Sequence, residues 1–371
     1  MKEKKLFKSP LGVFFIITYS VALISAALHG SFYFSRTFAD SFNMTVSAGI
    51  RTILAKVTEY LPFSLAEAVI ICMPVTITVL IIACVHTVNG DDNARSARMI
   101  GALFSALCIL YSGFALSFAP AYRGQTLSYK LGLAEQPVSA DELYETGKYF
   151  LEEIKKDMGS INFTYTSGSR MPYSLGEMTE KLNEAYGKVS AQYSFVQSLD
   201  AKIKFIALSK PMTYTHISGI YTYYTGEANI NINFPDYTLP YTAAHEMSHQ
   251  RGIAPENEAN FMGYLVCRAS DDPYIRYSGN VGMFEYISNA LYSADREKYN
   301  ELWSGVDLRL RYEESEYSRF FAKYSESKVS VVSGAVNDTY LKAQGQSAGS
   351  KSYGMVVDLA VAYVKSINEN G

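Results

Sequence analysis

Cysteine and histidine are both scarce in this 371-residue chain, which holds four of the first and five of the second. Cys72, Cys84 and Cys108 fall within apolar runs, so Cys267 is the only thiol after residue 120 and no disulfide can form within that part. An extracytoplasmic domain without disulfides suits a bacterial envelope better than a eukaryotic secretory route. A basic stripe is also missing. With a formal net charge of −3 and 19% charged residues, the chain offers no electrostatic footprint for nucleic acid. There is no internal repeat and no low-complexity segment.

The charges are unevenly spread. Residues 11–34, 65–85 and 99–119 are apolar runs with no internal charge except Glu67 at one edge, and each is long enough to cross a bilayer as a helix. Lys2, Lys4, Lys5 and Lys8 precede the first run. Together with small residues such as Ala26 and Ala27 they resemble a signal sequence, but the length of the run and the two later spans favour an uncleaved anchor. Arg95 and Arg98 lie between the second and third runs. Basic flanks stay cytoplasmic, so three crossings place everything beyond the third outside, although Arg36, Arg51 and Lys56 in the 35–64 loop pull the other way. The expected organisation is a membrane anchor over 1–120, embedded in the lipid bilayer, and an extracytoplasmic domain over 121–371.

That domain reads as α+β, mostly helical with a small sheet. Ser139 to Glu142 and Ser174 to Glu177 are capping boxes, predicting helices to about Met158 and Tyr193 around a turn-rich stretch at 159–172. Branched and aromatic content predicts strands at 203–208, 219–225 and 228–234, the last two joined by a tight turn at Gly226-Glu227. The third alternates apolar residues with asparagine, which suits a sheet edge with its asparagines in water, or one where an extended peptide could add. Helices are expected again over 280–291, 296–324, 327–344 and 353–367. Many of the thirty tyrosines lie in this domain; they suit half-buried surfaces but identify no ligand.

The stretch with the sharpest chemistry is His245-Glu246-Met247-Ser248-His249. HExxH on a helix puts two imidazoles one turn apart with a carboxylate beside them, the ligand pair and general base of a zinc hydrolase. An ordinary buried helix with two hydrogen-bonded histidines is the plainer alternative. Gly252 reads as the helix C-cap and Pro255 as the start of a second helix opening Glu256-Asn257-Glu258-Ala259-Asn260. If that helix returns antiparallel, Glu256 becomes the third ligand, with Asn260 on the same face steadying a ligand. Glu258 is the rival, since helix phase after a short loop is not readable from sequence. Either glutamate could instead be a solvated acid at a helix N-terminus. Pro255 stands where a third histidine ligand would be, and His216 reads as a strand or surface histidine. Arg276 and Tyr277 are candidates to stabilise a developing oxyanion; as structural residues they would be an ion pair and a packed ring. Asp271-Asp272-Pro273 reads as a turn.

The run from His245 to Gly279 resembles an uncharacterised bacterial family of membrane-anchored proteins with a zincin-like domain, classed as a domain of unknown function of the DUF3810 type. The likeness extends over nearly the whole chain, including Val336 to Lys342. Glu256 to Asn260 is also similar to the ExxAN element of gluzincin metallopeptidases, where the glutamate is the zinc ligand, although the gap after His249 is shorter here than in most of them. The resemblance implies a peptidase fold, not a known substrate; the motif itself predicts one Zn²⁺ per chain held by His245, His249 and Glu256, or Glu258 in its place, with Glu246 as the catalytic base, and the outer placement makes an envelope peptide or protein the expected substrate. A noncatalytic envelope protein that uses the same shell to bind a peptide, glycan or protein is the competing expectation. Because the HExxH helix is bounded by Pro235-Asp236-Tyr237 and Gln250-Arg251, any cleavage is expected in water, outside the bilayer.

Overall fold

The computed structural model describes residues 10–89, 93–134, 136–164, 168–325, 327–344 and 355–370. Lys2, Lys4, Lys5 and Lys8, and Tyr353 at the expected start of the last helix, lie outside them. The chain divides into two compact units, Met1–Gly124 with Thr222–Gly226, and Gln125–Tyr221 with Glu227–Gly371.

The first unit contains α1 (Pro10–Phe32), α2 (Arg36–Phe42), α3 (Ala48–Glu59), α4 (Leu65–Val88) and α5 (Asn93–Ser117). Three stretches in it, Pro10–Phe32, Leu65–Thr87 and Ala94–Ser117, are long and apolar enough to cross a membrane. Their outward side chains are largely apolar and exposed, as Ile17, Leu23, Val75 and Leu107 show, a surface that water disfavours and lipid accepts. Tyr19 ties α1 to α5 by donating to the Gly101 carbonyl at 3.0 Å. The 35–64 segment is helical rather than a loop. Arg51, which counted as a loop charge in the sequence, is fully buried there, donating to Asn43 Oδ1 at 2.7 Å and to the Ser117 carbonyl at 2.8 Å.

The second unit is mostly helical. Its helices are α6 (Leu127–Leu131), α7 (Ala140–Met158), α8 (Leu175–Gln192), α9 (Ser209–Thr213), α10 (Leu239–Gln250), α11 (Glu256–Ala269), α12 (Pro273–Ala294), α13 (Arg296–Ser304), α14 (Leu308–Ala322), α15 (Lys328–Ala343) and α16 (Val356–Asn370). Both capping boxes form with their reciprocal bonds, opening α7 at Ser139 and α8 at Ser174. Such caps contribute about 1 kcal/mol each. Asp272 caps α12 by accepting from the Tyr274 and Ile275 N–H groups, so the Asp-Asp-Pro turn is a helix start. The helix expected over 296–324 is interrupted, because Asp307 accepts from Arg309 N–H at 2.8 Å and begins a new helix. Residues Ala259 to Cys267 of α11 are all buried, which makes this helix the centre of the core.

Among the described residues, two small sheets accompany the helices. β1 (Phe163–Thr164) and β2 (Gly168–Ser169) form an antiparallel pair inside the turn-rich stretch. The larger sheet joins β3 (Lys204–Phe205), β4 (Gly219–Thr222) and β5 (Glu227–Ile230) in the order β3-β5-β4, with β3 and β5 parallel and Gly226 at φ 70° in the turn before β5. This corrects the reading of 228–234 as the edge: β5 is central and β4 is an edge strand. Asn229 and Asn231 face no water, and only Asn233 is partly exposed. Asn229 donates to the Ile220 and Glu227 carbonyls at 3.1 and 3.0 Å, and Asn231 to Thr213 Oγ1 and the Ile217 carbonyl, so both amides are satisfied internally at full burial.

Candidate metal centre

The HExxH segment occupies the last two turns of α10, so its histidines share a face. The chain then reverses through Gly252 at φ 83°, with Ile253 N–H returning to the Ser248 carbonyl at 3.1 Å. That left-handed conformation is favourable only for glycine, and it starts α11 at Glu256. Close approach of the two helices depends on a second glycine. A Cβ at Gly263 would stand 3.1 Å from the His245 backbone nitrogen, so any larger residue there pushes α11 away from α10.

Three donor groups converge. His245 Nε2 and His249 Nε2 are 3.1 Å apart, Glu256 Oε2 is 3.4 Å from His245 Nε2, and Glu256 Oε1 is 3.6 Å from His249 Nε2. Their side chains are 13%, 8% and 15% exposed, so the donors are largely withdrawn from solvent. Glu246 is the buried fourth member, with Oε1 4.0 Å from His245 Nε2. His245, Glu246 and His249 form a compact cluster of metal-ligating types. The hydrogen bond between His249 Nδ1 and the Ile253 carbonyl, at 2.8 Å, requires the proton on Nδ1 and leaves Nε2 with its lone pair when the ring is neutral. The Nδ1 of His245 is buried without a hydrogen bond.

The electrostatics are reciprocal. Burial alone would lower the pKa of His249, but the Glu256 carboxylate outweighs it and holds the ring up at about 9. Burial likewise opposes ionisation of Glu256, and the charge and hydrogen bonds of the two imidazoles overcome it, keeping the carboxyl well below its ordinary range. In Glu246 burial wins and raises the pKa, against the pull of both histidines.

Glu246 is positioned from the sheet. The Tyr221 backbone N–H donates to its carboxylate, and a Cβ at Gly219 would lie 2.6 Å from Glu246 Cγ and Oε1. Ser218 spends its carbonyl on Asn231 N–H, so by strand alternation Gly219 and Tyr221 turn their backbone groups to the outer side of β4, where Glu246 sits. Neither residue stands out in the sequence, because their contact with Glu246 spans about 25 positions. Gly219 inside a strand was the one available signal.

The remaining site expectations fare differently. Glu258 is turned away from the histidines: its Oε1 accepts from Leu127 N–H at 3.0 Å and ties down the start of α6. Asn260 makes no side-chain hydrogen bond to the histidines or Glu256 among the described residues; its Nδ2 is buried and unpartnered, while its carbonyl accepts from Tyr241. Arg276 and Tyr277 do not reach the centre. Arg276 grips Asp157 and donates to the Ser270 carbonyl at 3.0 Å, and the Tyr277 hydroxyl donates to Glu313 in the core. Both therefore take the structural alternative. His216 bonds the Tyr324 carbonyl at 2.8 Å at a left-handed φ of 62° and is not among the converging donors. Tyr286 on α12, not singled out from the sequence, lies within the electrostatic reach of Glu256.

These features define a chain with membrane-length helices and a second, mainly helical unit carrying a two-histidine, two-glutamate centre. The chain belongs to the family described as a protein of unknown function, DUF3810, which it matches over residues 42–361. No curated protein and no solved structure matches it.

Proposed function

We propose that this protein is a membrane-anchored, zincin-like zinc metallopeptidase that hydrolyses peptide bonds of an envelope peptide or protein. The observation that carries the reading is the donor triangle of 3.1, 3.4 and 3.6 Å with Glu246 beside it. Tetrahedral zinc with ligands at about 2.0–2.1 Å spaces its donors about 3.3–3.4 Å apart, and two imidazoles with one carboxylate are a common catalytic donor set. His245, His249 and Glu256 would hold the ion, which when bound polarises a carbonyl and acidifies water. Glu246 takes a proton from the water that attacks the scissile carbonyl carbon, and gives it to the amine nitrogen as the C–N bond breaks. Its raised pKa suits both halves of that transfer.

The purified full chain in detergent should contain about one zinc per chain, and His245→Ala or His249→Ala should remove it. Because a proton on His249 must leave first, apparent zinc affinity should rise about tenfold per pH unit toward pH 9 and level off above it. A folded chain whose zinc content is indifferent to both substitutions would refute the metal centre.

Orientation is the second part of the proposal. The basic N-terminus and Arg95 with Arg98 support a cytoplasmic start, three crossings and an outer metal centre on a bacterial membrane. A reporter fused after Gly371 should work only if it is active outside the cytoplasm, and added protease should reach the domain in wall-stripped cells. Full protection would reverse the topology.

A further inference from the structure

A carboxyl pair that the proposed reaction leaves unused lies at a cavity whose lining includes Tyr241 and Thr242, four and three positions before His245 on α10. Glu285 of α12 and Glu314 of α14 share a hydrogen bond, and burial with the neighbouring carboxyl drives Glu285 well above the ordinary carboxylate range. Glu285 lines a cavity of about 330 Å³, within the roughly 300–1,000 Å³ range of small-ligand sites. Ser218, next to the Gly219 that abuts Glu246, forms one wall; Thr242, on the His245 face of α10, forms another. A second observation points to a missing partner. Glu314 Oε1 is buried with no hydrogen-bond partner, while Tyr237, 3% exposed on the same cavity, sets its hydroxyl against Glu285. A buried acid either keeps its proton or meets a cation, and among the described residues no lysine or arginine lines this space, while His216, which does, bonds the Tyr324 carbonyl. Among the described residues the acids gather no third metal-type ligand, whereas Tyr286 and Tyr317 offer aromatic walls that suit an organic cation.

We infer that this cavity is the subsite for a basic side chain, lysine or arginine, of the peptide held beside Glu246, with Glu285 receiving its cationic head and Glu314 hydrogen-bonded to Glu285 from outside the cavity lining. The inference rests on the peptide-binding reading above. Its test uses the full zinc-loaded chain in detergent and acetylated, amidated pentapeptides, alanine except for a central lysine, norleucine or glutamate. Binding is measured on the Glu246→Gln chain and hydrolysis on the wild type. The lysine peptide should bind at least about tenfold more tightly than the norleucine peptide, and Glu285→Gln in the same background should bring the two within about threefold. Asn289, exposed at the cavity wall, gives a variant that avoids the core: Asn289→Arg supplies a tethered guanidinium and should suppress lysine preference with zinc content unchanged. If Glu285→Gln fails to melt cooperatively, Asn289→Arg decides. Equal binding of lysine and norleucine peptides, or a preference that survives both variants, overturns the subsite. Hydrolysis that depends on Glu246 but ignores the central residue overturns the subsite and leaves the peptidase standing; lysine-selective binding without hydrolysis supports the subsite and removes the peptidase.

Discussion

Glu246→Gln should lower peptide hydrolysis by about 10²–10⁴-fold, the usual contribution of a general base, while zinc content and folding stay at wild-type levels. The amide has the shape of the carboxyl and can still accept from the Tyr221 N–H, so the packing against Gly219 is kept and only basicity is lost. Gly219→Ala should give a milder version of the same defect. Its methyl would stand 2.6 Å from Glu246 Cγ, so the carboxylate must leave its place although no catalytic group has been removed. Substrate is found by comparing envelope peptides and proteins from cells carrying the wild-type or the Glu246→Gln chain. One species accumulating uncleaved in the mutant is the expected result. If Glu246→Gln fully rescues a deletion phenotype that a disrupted domain does not, catalysis is not the function, and the noncatalytic binding protein replaces it.

Glu256→Gln should cost at least about 100-fold in zinc affinity, more than loss of an outer partner, because it removes both a donor and the negative charge that balances the ion. Glu258→Gln should leave zinc binding within about threefold of wild type. Its carboxylate holds the Leu127 N–H instead, and weakening that bond costs about 1 kcal/mol of stability, read as a lower melting temperature. The pair is a strict comparison, since the two glutamates are two positions apart on one helix and point to different faces. A larger zinc loss in Glu258→Gln would overturn the assignment of Glu256.

Local periodicity made much of this protein legible in its sequence. The apolar runs, both capping boxes, the Gly252 reversal and the pairing of His245 with His249 depend on residues within a few positions of each other, where helix geometry and chain entropy dictate the outcome. The small sheet was visible as strands, but not its order. Apolar-asparagine alternation normally marks a half-wet strand, and here the asparagines are consumed by carbonyls of β4 and its approach, which puts β5 inside.

Tertiary structure decided everything that depended on a distant neighbour. Whether Glu256 or Glu258 faces the histidines turned on the angle at which α11 leaves Gly252 and on the close approach permitted at Gly263. Arg276 and Tyr277 have the chemistry of oxyanion donors, but Asp157 and Glu313 claim them from 119 and 36 positions away. Gly219 and Tyr221 place Glu246 from a strand rather than from its own helix, and the cavity of Glu285 closes only when α10, α12 and α14 meet. A sequence states which donors, acids and rings a chain owns; which of them satisfy one another, and which are left facing a cleft, is set by packing, because a buried polar group bonds to whatever partner the fold brings within reach.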